Sequence, residues 1–491
     1  MRLRNLIFAL GACLFTTFAY SAPKPNVLFI AVDDLNDWIG CLDGHPQALT
    51  PNMDRLAKRG VLFINAHCAA PACNPSRAAV FSGMMPQRTG VWSNRSTRIE
   101  KAAPKAVLLT HAFRKAGYQT LGTGKMLHGK GDGLFEEYYG VNQRWSPFPK
   151  NAVRYTKIEL PSKGTDNPRH VLKDSLDREV VLPINRMPSD RKPDQVDGES
   201  FDWGGFDVPD RDFGDTQITT WAIGKLKRNL GKRQPFFLGV GYYRPHIPLF
   251  APQKYFERFK NEPGKLPEIH NDDLKDIGPA GRKWAIEPVT AGSHATVLKH
   301  KQWRAAVEAY LACTTYVDHE IGRLVDTLDQ SDAAANTWIV LWSDHGWHLG
   351  EKEHWGKWTG WEPSTRVPLM IVPPKRMAKQ FAPGGSRCAQ PVGLIDLFPT
   401  LAESCNVPAP KHLDGQSLLP LLRNPAKATG RVLTTTFDKG NVSHRTIRWR
   451  YLRYANGEEE LYDLQNDPHE WTNLAADPRH AKVKKRLADI R

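Results

Sequence analysis

Two acidic pairs define the chemistry open to this 491-residue chain. Asp33 and Asp34 end one short apolar run, and Asp344 with His345 ends another about 310 positions later (344 minus 34). Either pair alone would more often be a helix cap or a surface turn. They have joint meaning only in a fold that brings the two run ends together. Such a dense set of carboxylate oxygens suits a hard cation such as calcium or magnesium better than zinc. His128 and His246 are candidates for proton transfer near neutral pH, although a histidine by itself is more often a satisfied structural residue. Arg77, Lys125 and Lys357 offer positive charge that could neutralise an anion developing in a transition state. Cys73 stands in the run Cys73, Asn74, Pro75, Ser76, Arg77. Read structurally, it is a buried thiol near a helix start.

With Thr89 and Gly90 downstream, that run has the form C-x-P-S-R followed by T-G. This resembles the pattern shared by type I, formylglycine-dependent sulfatases. The resemblance implies that a formylglycine-generating enzyme oxidises Cys73 to formylglycine (3-oxoalanine) before the chain folds. The hydrated aldehyde then offers two hydroxyls. One attacks sulfur and the other later expels sulfate by restoring the aldehyde, so water need not attack an unreactive sulfated enzyme. In the family, the positions of Asp33, Asp34, Asp344 and His345, with the formylglycine at Cys73, bind Ca2+ and one sulfate oxygen. His345 departs from the commoner asparagine or glutamine, but iduronate-2-sulfatase also has Asp-His there. Residues 122–128 resemble the family's G-K-x-x-H element, which implies that Lys125 stabilises the deprotonated diol oxygen. The same element makes His128 the base for sulfate elimination. His246 lies in a G-Y-x-x-P-H-x-P pattern, and Lys357 follows the second acidic motif. By analogy both point at the bridging ester oxygen, with His246 protonating the leaving alcohol while Lys357 and Arg77 neutralise charge.

The resemblance covers most of the chain. Asp344, His345, Gly346 and Trp347 match the D-H-G-W of the iduronate-2-sulfatase-like branch, and Asp202, Trp203 and Gly204 resemble an insertion in bacterial polysaccharide-active relatives. Trp449, Arg450, Tyr451 and the Glu460 to Pro468 region match the usual C-terminal subdomain of sulfatases. The implied fold is an alkaline-phosphatase-like α/β sandwich with a large mixed sheet flanked by helices and a small C-terminal α+β subdomain. The implied substrate is a sulfated carbohydrate, either a 2-O-sulfated uronate or an algal glycan.

The elements needed to position these residues are legible independently. Residues 27–32, 236–240 and 337–342 are uninterrupted apolar runs rich in branched or aromatic side chains, as expected of strands buried on both faces. Each ends in polar residues. Helical periodicity lies between them, at 53–59, 107–116, 216–230 and 303–328. Strand and helix alternate, which predicts an α/β domain with its ligand at the carboxyl ends of the strands. An apolar helix-like stretch at 418–422 leads into a linker at 423–431. Beyond it come short alternating strands at 434–437, 447–454 and 460–464, then a polar helix from about 480. The division expected is a signal peptide at 1–21, a catalytic domain at 22–425 and a subdomain at 426–491. Trp347, Trp355, Trp358 and Trp361 would suit stacking on sugar rings, and would equally suit a core.

Composition narrows the setting. Hydrophobic residues at 41% and charged ones at 24% are ordinary for a folded protein and exclude a disordered one. Arg2 and Arg4 precede an apolar run at 6–18 and the small residues Ala19 and Ser21, which reads as a cleaved secretory signal. The run is short for a membrane span of roughly 20 residues; a lipoprotein signal ending at Cys13 is the weaker alternative. The mature protein is therefore expected in the periplasm or outside the cell, with no transmembrane segment. The formal charge of +15 falls to +13 once Arg2 and Arg4 leave (15 minus 2). Secretion turns that charge away from nucleic acid and toward sulfated or uronate-bearing glycans, although a merely soluble cationic surface would carry it too. Six cysteines remain, too few for a disulfide scaffold; Cys388 and Cys405 could pair. A phosphatase of the same fold would use a Thr or Ser nucleophile and more metal-binding histidines. A polyanion-binding protein would keep the fold without turnover.

Overall fold

A computed structural model of the chain describes residues 23–490 apart from 130, 132, 142–145, 148–152, 155–170, 174–178, 182–184, 186–200, 230, 231, 233, 289–291 and 412. The expected signal peptide therefore lies outside the described residues. Among those described, no helix is long and apolar enough to cross a membrane.

Eight strands form the main sheet, in the order Ser386–Cys388, Val61–Phe63, Leu369–Val372, Thr337–Ser343, Asn26–Val32, Phe236–Tyr242, Gln119–Gly124 and Glu137–Tyr139. The five from Thr337–Ser343 to Glu137–Tyr139 run parallel, and Leu369–Val372 is antiparallel to both of its neighbours. The sheet is mixed, as expected. Asn26–Val32 is central because almost every side chain in it is apolar, so both faces can be covered. On one face Phe29 meets Phe81, Phe237 and Trp342 at centroid distances of 6.2, 5.5 and 5.3 Å. On the other, Leu28, Ile30 and Val32 join Val317, Ile321 and Leu324 of the long helix Trp303–Asp329 in one buried cluster. Ile30 is fully buried and Ile447 is 58% exposed. Ile30→Val is expected to lower stability by about 1 kcal/mol, and Ile447→Val by less than about 0.5 kcal/mol. Urea unfolding of the two variants checks the contrast.

The expected helices form within two residues of the expected limits, as Pro51–Ala57, Leu109–Lys115, Gly214–Asn229 and Trp303–Asp329. Gln119–Gly124 was not expected as a strand, because a Gly-Thr-Gly run resembles a loop. Its glycines are there for closeness: a Cβ on Gly124, whose φ is +69°, would come within 2.0 Å of the Gly241 carbonyl oxygen.

Beyond residue 432 a four-stranded antiparallel sheet, Leu433–Thr436, Val442–Arg445, Trp449–Arg453 and Glu459–Asp463, precedes the helix Ala481–Ala488. This is the small α+β subdomain. Its buried Arg450 reaches back into the large domain, donating to the Gly360 carbonyl at 2.7 Å and pairing with Glu362, and it also pairs with Glu470 of its own subdomain. Among the described residues all six cysteines are free, Cys388 and Cys405 included.

Candidate active site

The parallel register sets four strand ends at one level. Val32 lies opposite Tyr242 on one side and Ser343 on the other, and Gly241 lies opposite Gly124. The next residues along each strand are therefore neighbours: Asp344 and His345, Asp33 and Asp34, Tyr243 to His246, and Lys125. Backbone bonds join the ends, from Asp344 N to the Val32 carbonyl at 3.3 Å and from Lys125 N to the Gly241 carbonyl at 2.8 Å.

The helix Cys73–Ser82 comes in over these ends with all ten of its residues buried. Cys73 opens its first turn, where the positive end of the helix dipole favours an anion. The Cys73 Sγ has Lys357 Nζ at 3.1 Å, Lys125 Nζ at 3.4 Å and His345 Nε2 at 3.4 Å. His128 and His246 stand near enough to the sulfur to favour its ionised form. Burial opposes ionisation of the thiol, but Lys125 and Lys357, with His345, hold it well below the usual cysteine range.

Around this sulfur, cations and carboxylates alternate. Lys125 pairs with Asp33, and Lys357 Nζ lies 2.7 Å from Asp34 Oδ1. Arg77 is fully buried and directs Nε to Asp344 Oδ2 at 2.8 Å, Nη2 to Asp33 Oδ1 at 3.1 Å and Nη1 to the Lys125 carbonyl. With all three nitrogens engaged, Arg77 holds the carboxylates rather than facing the thiol. Burial pushes the Asp33 carboxyl up, and that of Asp34 up to about 7. Asp344 is buried as deeply, yet Arg77 holds it down at about 2. For Lys357, burial is outweighed by Asp34 and the ammonium is held well above its ordinary value.

The two histidines nearest the carboxylates are fixed in tautomer by carbonyls. His246 Nδ1 bonds the Ile247 carbonyl and His345 Nδ1 bonds that of Gly346 at 3.0 Å, so each ring donates there and presents Nε2 to the site. Burial, then Lys125, depress His246 to about 3, so its Nε2 carries a lone pair. Burial works the same way on His345, but Asp344 overrides it and raises the ring to about 9.

Asp33, Asp34, Cys73 and His345 place one ligand atom each within 4.8 Å of one another. One further observation suits a cation there: Asp34 Oδ2 is buried without a hydrogen-bond partner. A thiol is a soft donor, whereas an oxygen in its place would complete a set fit for a hard cation. Asp344 stands outside that group of four. Its Oδ1 accepts from the amides of Asp34 and His345 at 3.2 and 3.1 Å while Oδ2 accepts from Arg77, so it borders the cluster, 3.5 Å from His345 Nε2.

The structure brings Asp33, Asp34, Cys73, Arg77, Lys125, His246, Asp344, His345 and Lys357 together, with His128 beside the thiol. Sequence reasoning missed the residues that shape it. Tyr310 donates to the Asp34 carbonyl at 2.7 Å and accepts from Asn36 N at 2.9 Å, fixing Asp34 at φ 62°. It lies on the buried side of its helix and reads as core. Asp215 accepts from Tyr243 N and Arg244 N at 2.8 and 3.0 Å and so shapes the approach to His246. Residues Trp203–Phe206 pair in parallel with Leu249–Pro252, bracing the same segment from its far side. Thr89 and Gly90 end a short helix, with Gly90 at φ +72°, and make no direct contribution to the site.

Comparison with known proteins gives the family. A sulfatase family model matches residues 25–407, and a model described as the C-terminal region of N-sulphoglucosamine sulphohydrolase matches residues 350–490. A sulfatase of Formosa agariphila is 36% identical over 92% of this chain and 83% of its own length. The iduronate 2-sulfatase of Mus musculus is 28% identical over 78% of this chain and 69% of its own. The Δ4,5-hexuronate-2-O-sulfatase of Bacteroides thetaiotaomicron is 26% identical over 96% and 89%. Among solved structures, one in complex with its substrate D-glucosamine-2-N,6-O-disulfate superposes with a TM-score of 0.70 at 22% identity, covering 95% of this chain and 96% of the other. The phosphonate monoester hydrolase of Agrobacterium radiobacter gives 0.75 at 22% identity, covering 95% and 94%. These two share the fold, and a fold alone does not choose among ester classes. The family match over most of the chain does: this chain belongs to the sulfatase family and is a sulfuric ester hydrolase.

Proposed function

We propose that this sulfatase removes sulfate ester groups from sulfated carbohydrate, of the 2-O-sulfated uronate or algal glycan type, using Cys73 converted to formylglycine and a bound Ca2+. The observation that carries the proposal is the convergence of Lys357, Lys125 and His345 within 3.4 Å of Cys73 Sγ, beside a four-donor cation cluster. The names of the relatives support the carbohydrate class, as does the net charge of +13 left without Arg2 and Arg4 (15 minus 2).

Cys73 Sγ stands where the reactive oxygens of a hydrated formylglycine would sit. Hydrated, that residue supplies one hydroxyl to attack sulfur and a second to release sulfate. Asp33, Asp34, the residue-73 oxygen and His345, its Nε2 proton displaced by the ion, would hold Ca2+, with Asp344 beside them, and the ion would supply Lewis-acid polarisation of a sulfate oxygen. Three carboxylates balance Arg77, Lys125 and Lys357, so a dication leaves a net positive site that favours an anionic sulfate. Lys125 and Lys357 stabilise negative charge on the attacking and bridging oxygens. Arg77 keeps Asp33 and Asp344 in place. His128 takes the proton whose removal releases sulfate. His246 presents Nε2 to the site, where it would take the proton given up by the attacking hydroxyl and pass it to the leaving oxygen.

Residues 1–21 act as a cleaved signal and place the protein in the periplasm or outside the cell. Residues 22–425 make the catalytic domain and 426–491 the subdomain. A formylglycine-generating enzyme is the maturation partner; nucleic acid is not a partner.

The test is sulfate release from a panel of sulfated uronates, amino sugars and algal oligosaccharides, with phosphonate monoesters alongside. Turnover confined to sulfated sugars and lost on chelation is the expected result. Turnover of phosphonate esters with none of any sulfated sugar would refute the substrate assignment. Independently of activity, Ca2+ at 100 times its Kd should stabilise the fold by about 2.7 kcal/mol, read as a shift in thermal unfolding.

A further inference from the structure

Of the four tryptophans between 347 and 361, three belong to the core. Trp347, Trp355 and Trp361 are 1%, 2% and 0% exposed. Trp355 packs against Trp203, and Trp361 donates from Nε1 to Glu460 at 2.8 Å. Trp358 differs from all of them. It is half-buried, and among the described residues its ring stacks on no other ring and lies under no cation. It also follows directly on Lys357, whose Nζ lies 3.1 Å from Cys73 Sγ.

The backbone around it is unusual. Trp358 has φ +79°, in the left-handed region that a large side chain avoids. A conformation of that kind persists only where its surroundings enforce it, and here they do. The Lys357 carbonyl is tied to His354 Nε2 at 2.9 Å, and Trp358 N donates to the Pro71 carbonyl at 3.1 Å, two residues before Cys73. Thr359 Oγ1 lies 2.9 Å from both His348 Nε2 and Ser364 Oγ. The Gly360 carbonyl accepts from Arg450 at 2.7 Å and from Ser443 at 2.8 Å. Every residue from Lys357 to Trp361 is thus anchored, and the one side chain left without a partner is the indole of Trp358. A glycine would take this φ without strain, so an indole here has a use that the fold does not supply.

We propose that Trp358 is a specificity-determining residue that stacks on the sugar ring bearing the scissile sulfate. A pyranose presents an apolar face of C–H groups beside its hydroxyls, and the indole of the residue that follows Lys357 on this anchored backbone offers that face area with little loss of conformational freedom. The inference rests on the carbohydrate reading above and gives that reading a contact.

The test uses full-length, matured protein and compares wild type with Trp358→Gly and Trp358→Phe on a sulfated pyranoside and on propyl sulfate, which has no ring. Trp358→Gly is expected to lower the preference for the pyranoside over propyl sulfate about 10-fold, through KM rather than kcat. Trp358→Phe should recover most of that preference. Because glycine relieves the strain, thermal stability should not fall. Equal losses on both substrates would make Trp358 a support for Lys357 and overturn the inference, as would an unchanged preference with lowered stability. If wild type splits propyl sulfate but no sulfated sugar, the carbohydrate reading fails and this inference with it.

Discussion

Cys73→Ala should lower sulfate release by about 10^4-fold or more, to the level that electrostatics and binding alone sustain. The thiol position is where Lys125, Lys357 and His345 meet, with His128 and His246 beside them, so its loss removes the atom that they surround. The fold should survive, because alanine leaves the helix Cys73–Ser82 intact and adds no volume. Cys73→Ser separates the proposed chemistry from ordinary nucleophilic catalysis. A serine has one hydroxyl where the hydrated aldehyde has two, so it can accept a sulfuryl group but has no second oxygen with which to expel it. Cys73→Ser should therefore release alcohol at most once per molecule and then stop. Rapid mixing with mass measurement of the protein would find the sulfated serine. Steady turnover by that variant would contradict the two-hydroxyl account.

Arg77→Met should be damaging in a different way, because its largest effect falls on stability. Arg77, Asp33 and Asp344 are all fully buried, and Arg77 is bonded to both carboxylates. Methionine approximates the volume but leaves these carboxylates without their shared partner. Removing one member of a buried ion network costs about 3–5 kcal/mol. Denaturant unfolding should show that loss as a lower midpoint with an unchanged slope. Asp344, now held at about 2 by Arg77, should also rise in pKa. A change of less than about 1 kcal/mol would mean that the carboxylates find water or Lys125 instead, and that Arg77 does not organise the site.

Much of the site was legible because its chemistry is written in short stretches. The nucleophile run from Cys73 to Arg77 is continuous, and both acidic motifs lie at the ends of apolar runs long enough to be read as buried strands. Convergence itself followed from the rule that parallel strands deliver ligand groups at their carboxyl ends. The parts that stayed hidden depend on long-range packing. Lys125 sits at the end of a strand whose glycines allow close contact with Gly241, and glycines weaken every strand signal. The separation of Asp344 from the four-donor group arises from Arg77 and two backbone amides, partners that spacing along the chain does not reveal. Tyr310 resembles any other apolar-face residue of a long helix until its hydroxyl is seen between Asp34 and Asn36. The tryptophans show the same limit: four residues with one sequence signature divide into three core members and one half-buried ring at the catalytic loop.

Sulfate transfer as proposed depends on the conversion of Cys73 to formylglycine. The most direct measurement is peptide mass analysis of active protein, made with and without a formylglycine-generating enzyme, beside the rate of sulfate release per molecule. The Cys73 peptide should shift by the exchange of a thiol for an aldehyde, and the rate should rise in proportion to the shifted fraction. Full activity from protein whose Cys73 is still a thiol would contradict that dependence.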